Sequence, residues 1–179
     1  MEYRNFGRTN FKPSALGFGC MRLPQTPGED GGIDEPEATR MVRYAIDQGV
    51  NYFDTAWSYH GGQSEVFLGK ALQDGYREKV ALATKMPSWL IEKQEDFDHY
   101  FFTQLERLQT DHIDFYLLHT LNQNYWDTYC RLNVFDWAEK QLAEGRIRHL
   151  GFSFHDEYPV FEKILTGYDH WDFCQIQYN

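Results

Sequence analysis

The chain has 179 residues, of which 42% are hydrophobic and 17% aromatic, and its formal net charge is −10. That length usually makes one domain, residues 1–179, and so high an apolar content excludes intrinsic disorder. The acidic balance with no basic run argues against a nucleic-acid partner, and no stretch approaches the roughly 20 apolar residues of a membrane span.

The opening segment, MEYRNFGRTNFKPSA, is polar from its second residue, which is unlike a secretory leader. It reads as a short hairpin turning at Gly7 and Asn10. ALGFGCM follows as a first strand, and Asp34-Glu35-Pro36-Glu37 starts a helix with an N-cap acid and a first-turn proline. That helix turns Met41, Val42, Ala45 and Ile46 to one face and stops at Gly49. The intervening PQTPGEDGGIDEP is a Pro/Gly/acid loop, expected to be mobile or to form a lid.

The alternation then continues. NYFDTA is a strand, SEVFLGKAL a helix, VALATK a strand and DFDHYFFTQLERL a helix. HIDFYLLH is a strand, YWDTYCRLNVFDWAEKQLAEG one long helix, and RIRHLGFS a strand. PVFEKILTG is a short helix and DFCQIQYN a closing strand. Strands apolar on both faces alternating with amphipathic helices predict a parallel α/β architecture of six βα strands plus the hairpin. An eight-stranded barrel needs two more βα units, so the chain is expected to stop short of closure, leaving strand edges open to self-association.

Four strand-like runs end on reactive side chains or lead into them: Asp54 with Tyr59 in the next loop, Lys85, His119 and Ser153. Parallel α/β folds gather such residues at the carboxyl ends of their strands. A phenol, with a reference pKa near 10, donates a proton more readily beside a cation, which Lys85 supplies. Asp54 is expected to hold that ammonium, and His119 to orient a substrate oxygen or relay a proton. Trp57 and Trp89 are pocket-wall candidates, with ordinary packing as the alternative. His99, His112, His149 and His170 read as surface or strand-edge residues. The Gly17–Cys20 stretch lacks the third glycine of a dinucleotide fingerprint. Cys20, Cys130 and Cys174 form no CxxC pair, which fits free thiols in a reducing, cytoplasmic compartment.

NYFDTAWSYHGGQSEVFLGKAL, ATKMP, IDFYLLH and the pair GFS…QIQYN together resemble the aldo-keto reductase family over essentially the whole chain. The resemblance implies a (β/α)8 TIM-barrel type fold, incomplete here, whose amino-terminal hairpin plugs the barrel bottom. It implies that Asp54, Tyr59, Lys85 and His119 match the catalytic tetrad, with Tyr59 the proton donor. It further implies NADPH, or NADH, as cofactor, with Met21, Asp54, Ser153 and Gln175 at cofactor-contacting positions, and a small-molecule aldehyde or ketone as substrate. Phe154 and His155 stand after the serine where many relatives carry asparagine. In wording, the chain is closer to a branch whose longer members carry a carboxyl-terminal iron–sulfur segment. Two rival readings remain: a metal-dependent barrel hydrolase using Asp54, His119 and His155, and a non-catalytic fragment or interaction module.

Overall fold

A computed structural model describes residues 1–28 and 32–178. Six strands form one wholly parallel sheet in the order β1 to β6: β1 (Phe18–Gly19), β2 (Tyr52–Asp54), β3 (Ala81–Met86), β4 (Ile113–Leu121), β5 (Ile147–Phe154) and β6 (Phe173–Gln175). Each next strand lies beside the last because a helix carries the chain back over one face. These helices are α1 (Glu35–Asp47), α2 (Gln63–Ala71), α3 (Glu95–Leu108), α4 (Gln123–Arg131), α5 (Val134–Ala143) and α6 (Tyr158–Thr166). The result is a curled, six-stranded part of a (β/α) barrel.

The sheet packs on both faces, which is why β3 is buried from end to end. Outward residues such as Phe53, Leu82, Tyr116 and Leu150 join helix residues Val42, Phe67, Phe101 and Val134 in the main core. Inward residues Ala81, Ala83, Phe115, Leu117 and Phe173 form a second, smaller cluster. The amino-terminal segment closes the bottom of that inner space. Phe6 and Phe11 pack on Phe115 with ring centroids 5.5 and 5.4 Å apart, and Phe6 also meets Phe173 at 5.7 Å. The hairpin expected here is pinned by one antiparallel bridge, Tyr3 to Ser14, and forms no longer ladder.

Helix α1 begins as expected, with Asp34 accepting the Glu37 amide at its N-terminus. It ends at Gly49, whose φ of +92° is a conformation few side chains tolerate. The loop before it is tied at its base by a bridge between Gln25 and Ile33. Its middle, residues 29–31, lies outside the described residues, as does Asn179. Two expectations need correction. The long helix is two helices, α4 and α5, because Asn133 adopts φ +55°. Asparagine tolerates that left-handed geometry, and the break lets Trp126 and Tyr129 of one piece and Val134 and Ala138 of the other all reach the core. The closing strand is only three residues long; Ile176 to Tyr178 run on as exposed, irregular chain.

Candidate active site

The two-residue period of a strand decides which side chains reach the inner face. Moving up that face, Tyr52 leads to Asp54, Ala81 and Ala83 to Lys85, Phe115 and Leu117 to His119, Gly151 to Ser153, and Phe173 to Gln175. The apolar residues fill the lower levels, and the reactive ones crown the carboxyl end. Tyr59 arrives differently, at the start of a short 3-10 turn, Tyr59–Gly62, just beyond β2.

Lys85 is the hub. Its side chain is 2% exposed, and its ammonium donates to Asp54 Oδ1 at 2.6 Å, the Thr55 carbonyl at 2.8 Å and the Tyr59 hydroxyl oxygen at 3.4 Å. A buried ammonium needs such partners, since desolvation disfavours an isolated charge. Because the ammonium donates to the phenol oxygen, the phenol's own hydrogen is left to point elsewhere. Asp54 Oδ2 and His119 Nδ1 are buried and have no hydrogen-bond partner.

His119 completes the cluster, with its ring 6.2 Å from the Tyr59 ring and 5.2 Å from that of Trp89. Burial, then Lys85 and then His155, push its pKa down to about 3, so the imidazole is neutral at physiological pH. A neutral ring keeps one N–H to donate and one lone pair to accept. Burial, followed by the Asp54 charge, likewise pushes the Cys20 thiol up, so it stays protonated beneath the site.

A hydrogen-bonded layer lies behind the Tyr59 loop, and sequence reasoning assigned it no part. Glu65, fully buried in the first turn of α2, accepts from Thr84 and Gln104 at 2.6 Å each and from Arg107 at 3.2 Å. The Arg107 guanidinium lies 3.7 Å from the centre of the Trp57 ring, which packs edge-to-face with Tyr100, ring centroids 4.9 Å apart. Trp57 is therefore engaged in packing, while Trp89, 40% exposed, stands at the mouth. His60, with φ +51°, accepts the Leu23 amide on Nε2 at 3.0 Å and so joins the Tyr59 loop to the β1–α1 connection. The one sequence signal for this layer was the acid Glu65 just ahead of the apolar run VFLG in α2; nothing marked Gln104 or Arg107.

The remaining candidates lie around the rim. Ser153 and Gln175 are register partners on β5 and β6. Ser153 is buried and Gln175 exposed. Met21 is 46% exposed on the turn after β1. Beside Gln175, a cavity of about 630 Å³ is lined by Phe154, Asp156, Glu157 and Ile176, among others, and by no lysine or arginine. Among the described residues, no group of three or more His, Cys, Asp or Glu side chains converges to hold a metal ion. The rival trio does not assemble: His155 is exposed, and Asp54 is engaged by Lys85. His149 faces inward, stacked 4.9 Å from Phe115, which corrects its reading as a surface or edge residue.

Residues 15–179 match the family described as the aldo/keto reductase family. Aldo-keto reductase YhdN of Bacillus subtilis (strain 168) is 36% identical over 170 residues, covering 86% of this chain and 47% of the relative. Probable aldo-keto reductase 1 of Glycine max is 31% identical over 156 residues, covering 82% and 43%. Among solved structures, the holo form of aldo-keto reductase AKR11C1 from Bacillus halodurans superposes with a TM-score of 0.77 at 31% identity. That match covers 99% of this chain and 58% of the other. The chain thus spans about half the length of the curated relatives it matches.

Proposed function

The chain belongs to the aldo/keto reductase family, and from that premise we propose that it contributes the proton-donating half of a carbonyl reductase. In this reading Tyr59 protonates the oxygen of an aldehyde or ketone as that oxygen gains electrons. The observation that carries it is the single buried ammonium of Lys85 held against both Asp54 and the Tyr59 hydroxyl. A fixed positive charge beside the phenol oxygen stabilises the phenolate left behind, and the site needs no reorganisation to supply it. Neutral His119 donates a second hydrogen bond to the same substrate oxygen. Trp89 shields that oxygen from water.

NADPH, when bound, supplies the hydride. The residues present suit its nicotinamide end. Ser153 and Gln175 sit level on adjacent strands and offer a hydroxyl and an amide, which match the donor and acceptor of a carboxamide. Met21 lies on the rim and would contact the ring. The phosphate end has no such counterpart in the neighbouring cavity, whose polar lining includes the acids Asp156 and Glu157. Cytoplasmic residence agrees with three free cysteines. Among the described residues no helix is long and apolar enough to cross a membrane.

The experiment is NADPH oxidation by the purified protein with a panel of aldehydes and ketones, repeated with Tyr59→Phe. Loss of general-acid assistance should lower the rate by about 10²–10⁴-fold. Unchanged turnover in the variant would remove Tyr59 as the donor.

A further inference from the structure

A catalytic histidine is usually aimed by a hydrogen bond to its second ring nitrogen. His119 has none: its buried Nδ1 is without a partner. Besides ring packing near Trp89 and Tyr59, its direction is set by the backbone on which it stands, and that backbone is unusual. The β4–β5 ladder is regular as far as Leu118, then shifts register before Leu121, so His119 and Thr120 form a bulge. Inside it Thr120 has φ +55°. For a β-branched residue this is an outlier, which persists only where its surroundings hold it.

Two serines provide the hold. The Ser88 hydroxyl donates to the His119 carbonyl and is also within 2.9 Å of the Tyr129 hydroxyl. On the other side of the bulge, the Thr120 amide donates to Ser153 Oγ at 2.7 Å. Ser153 is 4% exposed, so this bond is shielded from water. The reactive imidazole thus stands on a peptide segment clamped at its carbonyl by β3's following turn and at the next amide by β5.

We propose that Ser153 is a positioning residue for His119: its hydroxyl oxygen holds Thr120 in the left-handed conformation and thereby aims the imidazole at the substrate oxygen. The hydroxyl hydrogen, which this bond does not use, remains free to donate to a bound ligand. Ser153 then serves the proton side of the reaction through its oxygen and the ligand side through its hydrogen. The proposal rests on the carbonyl-reductase reading only in assigning His119 its task; the link from Ser153 to His119 stands on geometry.

The test compares wild type, Ser153→Ala, Thr120→Gly and the double variant. Glycine takes positive φ without steric cost, so it needs no anchor there. In Ser153→Ala, kcat should fall by about 10–10²-fold, as expected when a reacting group is misplaced by about 1 Å. The same change made in the Thr120→Gly background should cost only a few-fold. Loss confined to the NADPH KM, with kcat intact, would reduce Ser153 to a ligand contact and overturn the proposal. Two readouts do not depend on activity. The Thr120 amide should exchange its hydrogen at least about tenfold faster in Ser153→Ala than in wild type. The His119 ring nitrogen resonances should move in Ser153→Ala and return towards wild type in the double variant. An unmoved ring or a still-protected amide would overturn the link even if the protein reduces carbonyls. If no carbonyl is reduced, the functional reading fails, while these two measurements still decide the link.

Discussion

His119 illustrates how burial changes a side chain's chemistry. Its ordinary pKa is near 6.5, and burial together with Lys85 and His155 pushes it down to about 3. Between those values the unfolded chain binds a proton that the folded chain does not. Stability therefore rises with pH across that window, and it falls as the pH drops from about 6.5 towards 3. The slope from this one residue approaches about 1.4 kcal/mol per pH unit. Urea unfolding at pH 7 and pH 5 should show this loss in wild type and a smaller one in His119→Gln; equal slopes would contradict it. The positions of Asp54, Lys85 and His119 were legible because each lies within two residues of the carboxyl end of its strand, and those ends meet; Tyr59 follows in the turn after β2. Glu65 and Arg107 were not legible, because their value lies in partners 42 residues apart.

Among the elements, α2 does more than cover β2 and β3. Its first turn brings Ser64 and Glu65 beneath the Tyr59 loop, with Ser64 donating to the Cys20 carbonyl at 3.0 Å. Its last turn packs directly on the end of α3 through Gly69. A methyl group added there would lie 2.4 Å from the Arg107 carbonyl oxygen and 2.8 Å from the Leu108 carbonyl carbon. Helix propensity alone favours alanine over glycine by about 1 kcal/mol, but overpacking typically costs about 1–3 kcal/mol. Backbone atoms cannot swing aside as a flexible side chain can, so the clash should win. Gly69→Ala should unfold at lower denaturant than wild type, as α2 is pushed from α3. A stabilised variant would show that α2 and α3 have room to separate. The division into α4 and α5 was missed because the apolar period continues across Leu132 and Asn133. Only the dihedral angle at Asn133, favoured by where Val134 must pack, breaks the helix.

At the scale of the whole molecule, the sheet has two edges, since β1 and β6 each pair with a single strand among the described residues. Unpaired backbone donors and acceptors on an edge invite another strand. Next to β6, Ile176 is 49% and Tyr178 95% exposed. The polypeptide 1–179 on its own should therefore associate as its concentration rises, which sedimentation velocity would detect. A charge on that edge, Ile176→Lys, should suppress the association. A single monomeric species for wild type over a hundredfold range of concentration would contradict this expectation.

Strand and helix identities over most of the chain were set by the sequence itself. They depend on periods of 2 and 3.6 residues, which local backbone geometry enforces whatever the rest of the chain does. The pattern from NYFDTA to IDFYLLH located Asp54, Lys85 and His119 for a similar reason, since each sits at or near the carboxyl end of its own strand. Tertiary structure alone decided which contacts those residues make. The 2.6 Å pairing of Lys85 with Asp54, the Glu65 layer under the Tyr59 loop and the clamp from Ser153 on Thr120 all join distant segments. Such contacts follow from strand register and from the depth at which each group is buried, and neither is encoded in a local stretch of chain. Burial also decides charge: nothing near His119 in sequence marks it as neutral, and only the packed site excludes the water that would let it take a proton.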